Sequence, residues 1–114
     1  MNTTSTNCWI TFDDRRFQFR AYRDFMQVIP PSMRALPVYI TETDQNDPWA
    51  HRNTGWVRGA YAEINEWNRD LTHQKIRCLL LYRWLRHDQW SFRDIKEVTD
   101  DFRAALSSDH RWWR

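Results

Sequence analysis

The chain has 114 residues, and its 17 Lys and Arg against 15 Asp and Glu leave a net charge of +2. This length is typical of one domain and is too short for a complete (β/α)8 barrel, which needs roughly 200 residues. A hydrophobic fraction of 41% with 2 Gly and 4 Pro predicts a folded domain and argues against disorder. The interleaved charges argue against a nucleic-acid-binding surface.

Aromatic residues are the unusual part of the composition. The chain contains 8 Trp, 6 Phe and 4 Tyr, more flat surface than a small core requires, so we expect part of it to face a ligand or a partner. No run approaches the roughly 20 apolar residues of a membrane span, and residues 1–7 show no signal-peptide pattern. We therefore predict no membrane partner, and the compartment stays open. Cys8 and Cys78 lie far apart, which favours free thiols over a disulfide.

The N-terminal quarter of the chain predicts an irregular entry followed by a helix. Residues 1–12 have no regular pattern beyond a short apolar run. Asp13 and Asp14 fit a helix N-cap, and apolar residues then recur at helical spacing up to Ile29. We therefore predict a helix over 13–29, which Pro30-Pro31 ends.

The rest of the chain alternates strands and helices. Residues 38–42 are rich in β-branched and aromatic residues, which predicts a short strand, and a polar loop over 43–53 follows. The apolar stripe over 54–69 predicts a helix, and Trp56 and Trp67 lie on it as packing residues. The near-continuous apolar run in 76–83 predicts a strand buried on both faces.

The C-terminal part of the chain predicts a loop, a helix and a tail. The loop covers 85–93, the helix covers 94–107, and the tail covers 108–114. The whole order is helix, strand, helix, strand, helix. A helix between two strands predicts parallel pairing with a right-handed crossover. Two parallel strands leave open edges, so we predict a single α/β domain over 1–114 that is part of something larger.

Working residues of parallel α/β folds lie at the carboxyl ends of strands. Glu42 ends the first predicted strand and Trp84 ends the second. Alternation places Glu42 on the same face as Val38 and Ile40. A carboxylate on an inner face costs several kcal/mol unless it is hydrogen-bonded or used in chemistry. The alternative to a functional role is that Glu42 is a loop residue whose carboxylate caps nearby backbone N–H groups or pairs with an Arg.

The order of these segments resembles a known family. The run from Leu36 to Thr43 resembles the seventh strand of retaining glycoside hydrolases of the (β/α)8 clan that includes cellulases and β-galactosidases, and the run from Leu79 to Trp84 resembles their eighth strand. The resemblance implies a partial (β/α)8 (TIM) barrel in which Glu42 is the nucleophile and Trp84 forms the floor of the sugar site. The helix over 13–29 would precede strand seven, and the last helix, with Asp101-Phe102, would close the barrel.

Further aromatic residues are candidates for contact with sugar. Trp49 and Trp90 lie in loops that follow the two strands, on the same side of the sheet as Glu42, and Tyr82 lies beside Trp84. Flat aromatic faces pack against the apolar faces of sugar rings through many small dispersion contacts. We therefore predict carbohydrate as the partner, with Trp84, Trp49, Trp90 and Tyr82 as the substrate-binding residues.

The chain departs from the family at the second carboxyl group. The acid/base Glu of the family ends the fourth strand, which this chain lacks, and Asn65-Glu66 lies within a predicted helix. Asp44 and Asp47 share a loop with Glu42, so neither is expected to reach the opposite side of a sugar. Retention needs two carboxyl groups roughly 5 Å apart. The chain is therefore expected to be inactive alone.

The sequence carries no other catalytic or cofactor-binding pattern. Its four His have no zinc spacing with either Cys, and no Ser lies in a Gly-x-Ser-x-Gly turn. Gly55 and Gly59 are the only glycines, so the sequence has no Gly-rich phosphate loop. We therefore predict no metal and no cofactor. Arg77, Arg83 and Arg86 fit an anion site or, more simply, ion pairs with acids.

A non-catalytic interaction module is the alternative function. Alternation predicts an apolar barrel-facing patch, which would pair with the missing half-barrel or with a second copy of the chain. This patch is predicted to contain Val38, Ile40, Cys78, Leu80 and Tyr82. A basic-aromatic nucleic-acid binder is the least favoured function because the charges are mixed.

Overall fold

The computed structural model describes residues 11–12, 15–16, 18–44, 55–85 and 91–110. Within these ranges the chain forms four strands and three α-helices. They are β1 (Thr11–Phe12), β2 (Arg15–Arg16), α1 (Ala21–Val28), β3 (Val38–Thr43), α2 (Trp56–Arg69), β4 (Ile76–Leu81) and α3 (Lys96–Leu106). The fold is a mixture of helix and strand, and from α1 onward the order is the predicted one.

The first helix begins later than the sequence predicts. Thr11–Phe12 pairs antiparallel with Arg15–Arg16, and a 3-10 helix over Gln18–Arg20 then leads into α1 at Ala21. The predicted start at residue 13 is therefore wrong. Asp is as typical of turns as of helix N-caps, so the pair Asp13-Asp14 does not distinguish a helix start from a strand connection.

The two longer strands form a parallel sheet, as predicted. Val38 lies opposite Ile76, Ile40 opposite Leu79, and Thr43 opposite Leu81, with irregularities after Val38 and between Ile40 and Thr43. Helix α2 forms the connection between these strands. Parallel strands need such a crossover because their ends lie far apart.

One face of this sheet packs against α1 and α2. Ile76 and Leu79 of β4 are buried with apolar residues of the two helices, and Val38 and Ile40 pack against the same cluster. The predicted exposure of Val38 and Ile40 is therefore wrong, because the helices cover this face of β3. The large apolar residues exposed on the sheet are Tyr39, at 58%, and Leu80, at 50%.

A second core cluster joins α2 to α3. Trp56 and Val57 at the start of α2 pack with Phe92, Val98 and Ala105. Trp67, near the other end of α2, is half-buried against the first cluster and meets the Tyr22 ring edge-on at 5.4 Å. The predicted packing role of Trp56 and Trp67 is confirmed, and helix α2 is the element that both clusters share.

A buried amide fixes α2 to the start of β4. Asn68 donates a hydrogen bond from Nδ2 to the carbonyl of Ile76 at 2.7 Å, and its Oδ1 accepts the Ile76 N–H at 2.8 Å. The side chain thus satisfies both backbone groups of a buried strand residue, as a neighbouring strand would. This pair of hydrogen bonds sets where β4 begins relative to α2.

Candidate functional site

The carboxyl ends of β3 and β4 meet at one edge of the sheet. Thr43 is the register partner of Leu81, and the Tyr82 N–H donates to the Thr43 carbonyl at 2.8 Å. This bond extends the parallel ladder one residue beyond β4. Glu42, which precedes Thr43, and Trp84, which follows Tyr82, therefore belong to the same edge.

The Glu42 carboxylate is exposed at this edge. Because β3 is irregular between Ile40 and Thr43, Glu42 does not share the covered face of Val38 and Ile40, and Thr43 is buried instead. The predicted placement of Glu42 on that face is therefore wrong. In the part of the chain that the structure describes, the Glu42 side chain forms neither a hydrogen bond nor an ion pair. This carboxylate is open to a ligand.

Trp84 is held in place while much of its ring stays accessible. Its indole meets the Phe92 ring edge-on, with centroids 5.8 Å apart. Its carbonyl accepts the Arg93 N–H at 3.1 Å, and the Arg83 carbonyl accepts the Phe92 N–H at 3.1 Å. Phe92 is buried, so it anchors the turn, and Trp84 remains 55% exposed. A fixed, half-open indole is the arrangement that stacking on a sugar ring requires.

Tyr82 and Arg83 form a paired polar group next to Trp84. A cis peptide bond joins the two residues. The Arg83 guanidinium donates from Nη1 to the Tyr82 hydroxyl at 2.7 Å and lies 5.0 Å from the centre of the phenol ring. Both side chains are half-buried. The pair presents a hydroxyl and a guanidinium at the edge that also carries Glu42, and both groups donate hydrogen bonds to sugar hydroxyls or anions.

Two of the predicted sugar-contacting residues, Trp49 and Trp90, lie outside the described residues. The structure therefore brings together Glu42, Tyr82 and Trp84 from the predicted set. Asp44 lies two residues after Glu42 and is half-buried. It belongs to the same end of β3 as Glu42.

Two buried carboxylates were not singled out by the sequence. Glu63 accepts hydrogen bonds from Arg20, at 3.2 and 3.1 Å, from Tyr22 at 3.0 Å, and from Arg23. Burial acts to raise the pKa of Glu63, but the Arg20 hydrogen bonds, the Arg23 charge and the Tyr22 hydroxyl outweigh it, so the pKa is lowered. Glu63 therefore stays ionised and is unsuited to act as a proton donor.

The other buried carboxylate is Asp101 of α3. It accepts the N–H groups of Val57 and Arg58 at 2.8 and 3.2 Å, and its second oxygen accepts Arg58 Nε at 2.6 Å. These contacts occupy both oxygens with the first turn of α2. Neither Asp101 nor Glu63 is placed at the Glu42 edge by any contact, so both are structural carboxylates.

The described ranges contain neither a metal-binding cluster nor a membrane-spanning helix. Within them, no three His, Cys, Asp or Glu residues come together in a way that would hold a metal ion, and Cys78 is a free thiol. None of the helices described is long and apolar enough to cross a membrane. Comparisons with protein-family models, curated proteins and solved structures give no match to this chain.

Proposed function

We propose that this chain is the C-terminal part of a (β/α)8 barrel of the glycoside hydrolase type and contributes a carbohydrate-binding edge with the nucleophile half of a retaining site. One observation carries the proposal: β3 and β4 are parallel and hydrogen-bonded up to their carboxyl ends, where Glu42 is the last residue but one of β3 and Trp84 lies three residues beyond β4. Barrel enzymes bind substrate at this end of their strands.

The chemistry of the edge supports a sugar ligand. The exposed Glu42 carboxylate is suited to attack an anomeric carbon, the reaction of the nucleophile in retaining enzymes. The accessible half of the Trp84 indole offers an apolar face for a pyranose ring, and the Tyr82–Arg83 pair offers donors for its hydroxyls. A carboxylate and an aromatic platform at the same edge of the sheet are therefore available for one sugar subsite.

The proposed reaction needs a second carboxyl group from outside this chain. The acid must be uncharged at working pH and lie roughly 5 Å from the nucleophile. Glu63 is held ionised by two Arg, and Asp101 is occupied by the start of α2. We therefore assign the acid/base role to the missing half of the barrel. This chain on its own is assigned only the binding of carbohydrate.

Binding is tested by titrating the chain with a soluble β-linked oligosaccharide, cellotetraose, while backbone amide resonances are followed. Saturable shifts are expected at residues 42–44 and 82–85. Trp84→Ala should weaken binding about three- to tenfold, since a stacked aromatic contact contributes about 0.5–1.5 kcal/mol. Phe25→Ala is the matched control, because Phe25 is an exposed aromatic of α1. Shifts that are absent, or unchanged in Trp84→Ala, would contradict the proposal.

A second candidate function is an interaction module, with a second copy of this chain as the partner. The observation that favours it is the sheet itself, on which Tyr39 and Leu80 are exposed. Within the described residues, β3 and β4 also pair only with each other. Parallel sheets are generally covered on both faces, and open edges accept further strands. Self-association would cover this surface without any need for a sugar.

A further inference from the structure

A pocket lies at the amino end of the β3–β4 sheet, away from Glu42 and Trp84. Its walls come from residues 34–37, which precede β3, from residues 73–75, which precede β4, and from Tyr39 and Arg77 near the strand starts. Its volume is about 610 Å³, within the range of small-molecule sites. Because parallel strands begin at the same edge, this pocket is separate from the proposed sugar edge and does not depend on it.

The lining of the pocket is cationic. Arg34, Lys75 and Arg77 contribute three permanent positive charges, and none of the described lining residues is Asp or Glu. Outside the lining, the Asp70 carboxylate lies 3.7 Å from His73 Nε2 and accepts the Thr72 N–H and hydroxyl. The described lining residues therefore favour an anionic group over a cationic one.

Hydrogen bonds hold the two sides of the pocket together. Gln74 donates from Nε2 to the carbonyls of Met33 and Leu36 at 3.1 and 2.8 Å. The Val38 N–H donates to the Lys75 carbonyl at 3.1 Å. These three bonds tie the segment before β3 to the segment before β4. The pocket is thus formed by the start of the sheet rather than by a loose loop.

The cations are also held in position. The Lys75 ammonium donates to the carbonyls of Asn68 and Asp70 at 2.7 and 2.5 Å, at the end of α2. Arg34 donates from Nε to the Ile29 carbonyl at 3.2 Å, which orients its guanidinium. A planar guanidinium matches the geometry of phosphate oxygens, and a fixed ammonium adds charge. Preorganised donors of this kind lose little freedom when an anion binds.

One wall of the pocket is apolar. Leu36, Pro37 and the ring of Tyr39 line it, and both Leu36 and Tyr39 are exposed. We infer that this pocket binds a small organic phosphate, whose phosphate group lies against Arg34, Lys75 and Arg77 and whose apolar body lies against Tyr39. Charge selects the phosphate group, and the apolar wall selects an ester over the free ion.

The experiment titrates the full chain with phenyl phosphate while amide resonances are followed. Saturable shifts are expected at residues 34–39 and 73–77. Binding should weaken about tenfold in Arg77→Gln and in Arg34→Gln, because each loses a charge-assisted contact. Arg103→Gln is the matched control, since it removes one exposed Arg from α3, which does not line the pocket.

Further probes test the ligand class on the unchanged protein. Benzyl alcohol, which lacks the charge, should produce no saturable shift, and inorganic phosphate should bind at least fivefold more weakly than phenyl phosphate. Equal affinity for inorganic and phenyl phosphate, or equal loss in Arg103→Gln and Arg77→Gln, would overturn the inference. So would tighter binding of a single-stranded oligonucleotide at the same amides. These probe measurements use only the wild-type chain, so they do not depend on whether a variant folds.

Discussion

The carboxylate of Asp101 accepts the backbone N–H of Val57 at 2.8 Å, so a residue of α3 caps the first turn of α2. Helix α2 needs this cap because Gly55, at its N-cap position, has no side chain and adopts φ 71. The first N–H groups of a helix have no partner within the helix and must find one elsewhere. Asp101 also adds a negative charge where the helix dipole favours one.

Asp101→Ala is expected to lower the free energy of unfolding by about 2 kcal/mol, because it removes a helix cap and leaves a buried N–H without its partner. Urea denaturation followed by circular dichroism measures this change. Asp100→Ala is the matched control, since Asp100 pairs with Lys96 and Arg103 on the surface of α3, and such pairs contribute about 0–1 kcal/mol. Equal effects of the two variants would show that Asp101 is not a cap.

Glu63→Gln should destabilise the chain by about 2 kcal/mol near neutral pH, because it leaves Arg20 and Arg23 without their shared carboxylate. The folded chain lowers the pKa of Glu63. Its contribution is therefore fully present above about pH 5 and is lost as pH falls through the folded pKa. The gap in unfolding free energy between the wild-type chain and Glu63→Gln should shrink in acid.

Denaturation curves measured across the acid range test this dependence on pH. Glu66→Gln serves as the control, since Glu66 lies on the same helix with an exposed side chain and a long contact, 3.8 Å, to Arg69. A constant gap between the wild-type chain and Glu63→Gln at all pH values would contradict the assignment of the ion pair.

Tyr22 is expected to lose its proton late in an alkaline titration. Burial is the largest cause that raises the pKa of Tyr22 to about 12, the Glu63 charge acts in the same direction, and Arg23 opposes both. Because the folded pKa is raised, the contribution of Tyr22 to stability is present below about pH 10 and is lost as pH rises toward the folded value. Burial also raises the pKa of Tyr61, so ultraviolet absorbance of the phenolates should show late transitions, of which Tyr22→Phe removes the one near pH 12. Persistence of that transition in Tyr22→Phe would assign it to another Tyr.

Local patterns were sufficient to predict the main elements of the sheet and its covering helix. The apolar run that contains Ile76 and Leu79 indicated a strand, and the helical spacing from Trp56 onward indicated α2. The predicted burial of that strand on both faces is wrong, because Leu80 is 50% exposed on the face that the helices do not cover. A helix between two strands implied parallel pairing, and from that pairing followed the common edge of Glu42 and Trp84. Such inferences need only residue types and spacing.

Contacts between distant segments were not predictable from the same patterns. Asp101 and Val57 are 44 residues apart, and Glu63 and Arg20 are 43 apart, so no local spacing marks either carboxylate as a buried acceptor. The irregularity between Ile40 and Thr43 changes which face Glu42 occupies, because a shift of one residue reverses side-chain direction.

Self-association should depend on the exposed sheet face. We expect the chain to associate at high concentration, and Leu80→Lys to reduce association, because a charge on this face is costly to bury against a second copy. Leu106→Lys is the matched control, since Leu106 is also an exposed leucine but lies at the end of α3. Sedimentation velocity over a range of concentrations measures this. A monomer at every concentration, or equal effects of the two variants, would exclude the sheet as the interface.

The isolated chain is expected to show no glycosidase activity even though Glu42 is accessible. A nucleophilic carboxylate works well only while a second carboxyl group protonates the departing oxygen. An activated aryl glycoside needs little help from an acid, so it is the most sensitive substrate, and Glu42→Gln is the matched variant because it removes the charge and keeps the shape. Turnover by the wild-type chain that Glu42→Gln lacks would contradict the expected inactivity and support Glu42 as nucleophile. Supplying the complementary half-barrel as a second chain should restore turnover only with Glu42 present, and equal restoration with Glu42→Gln would exclude Glu42 from the reaction.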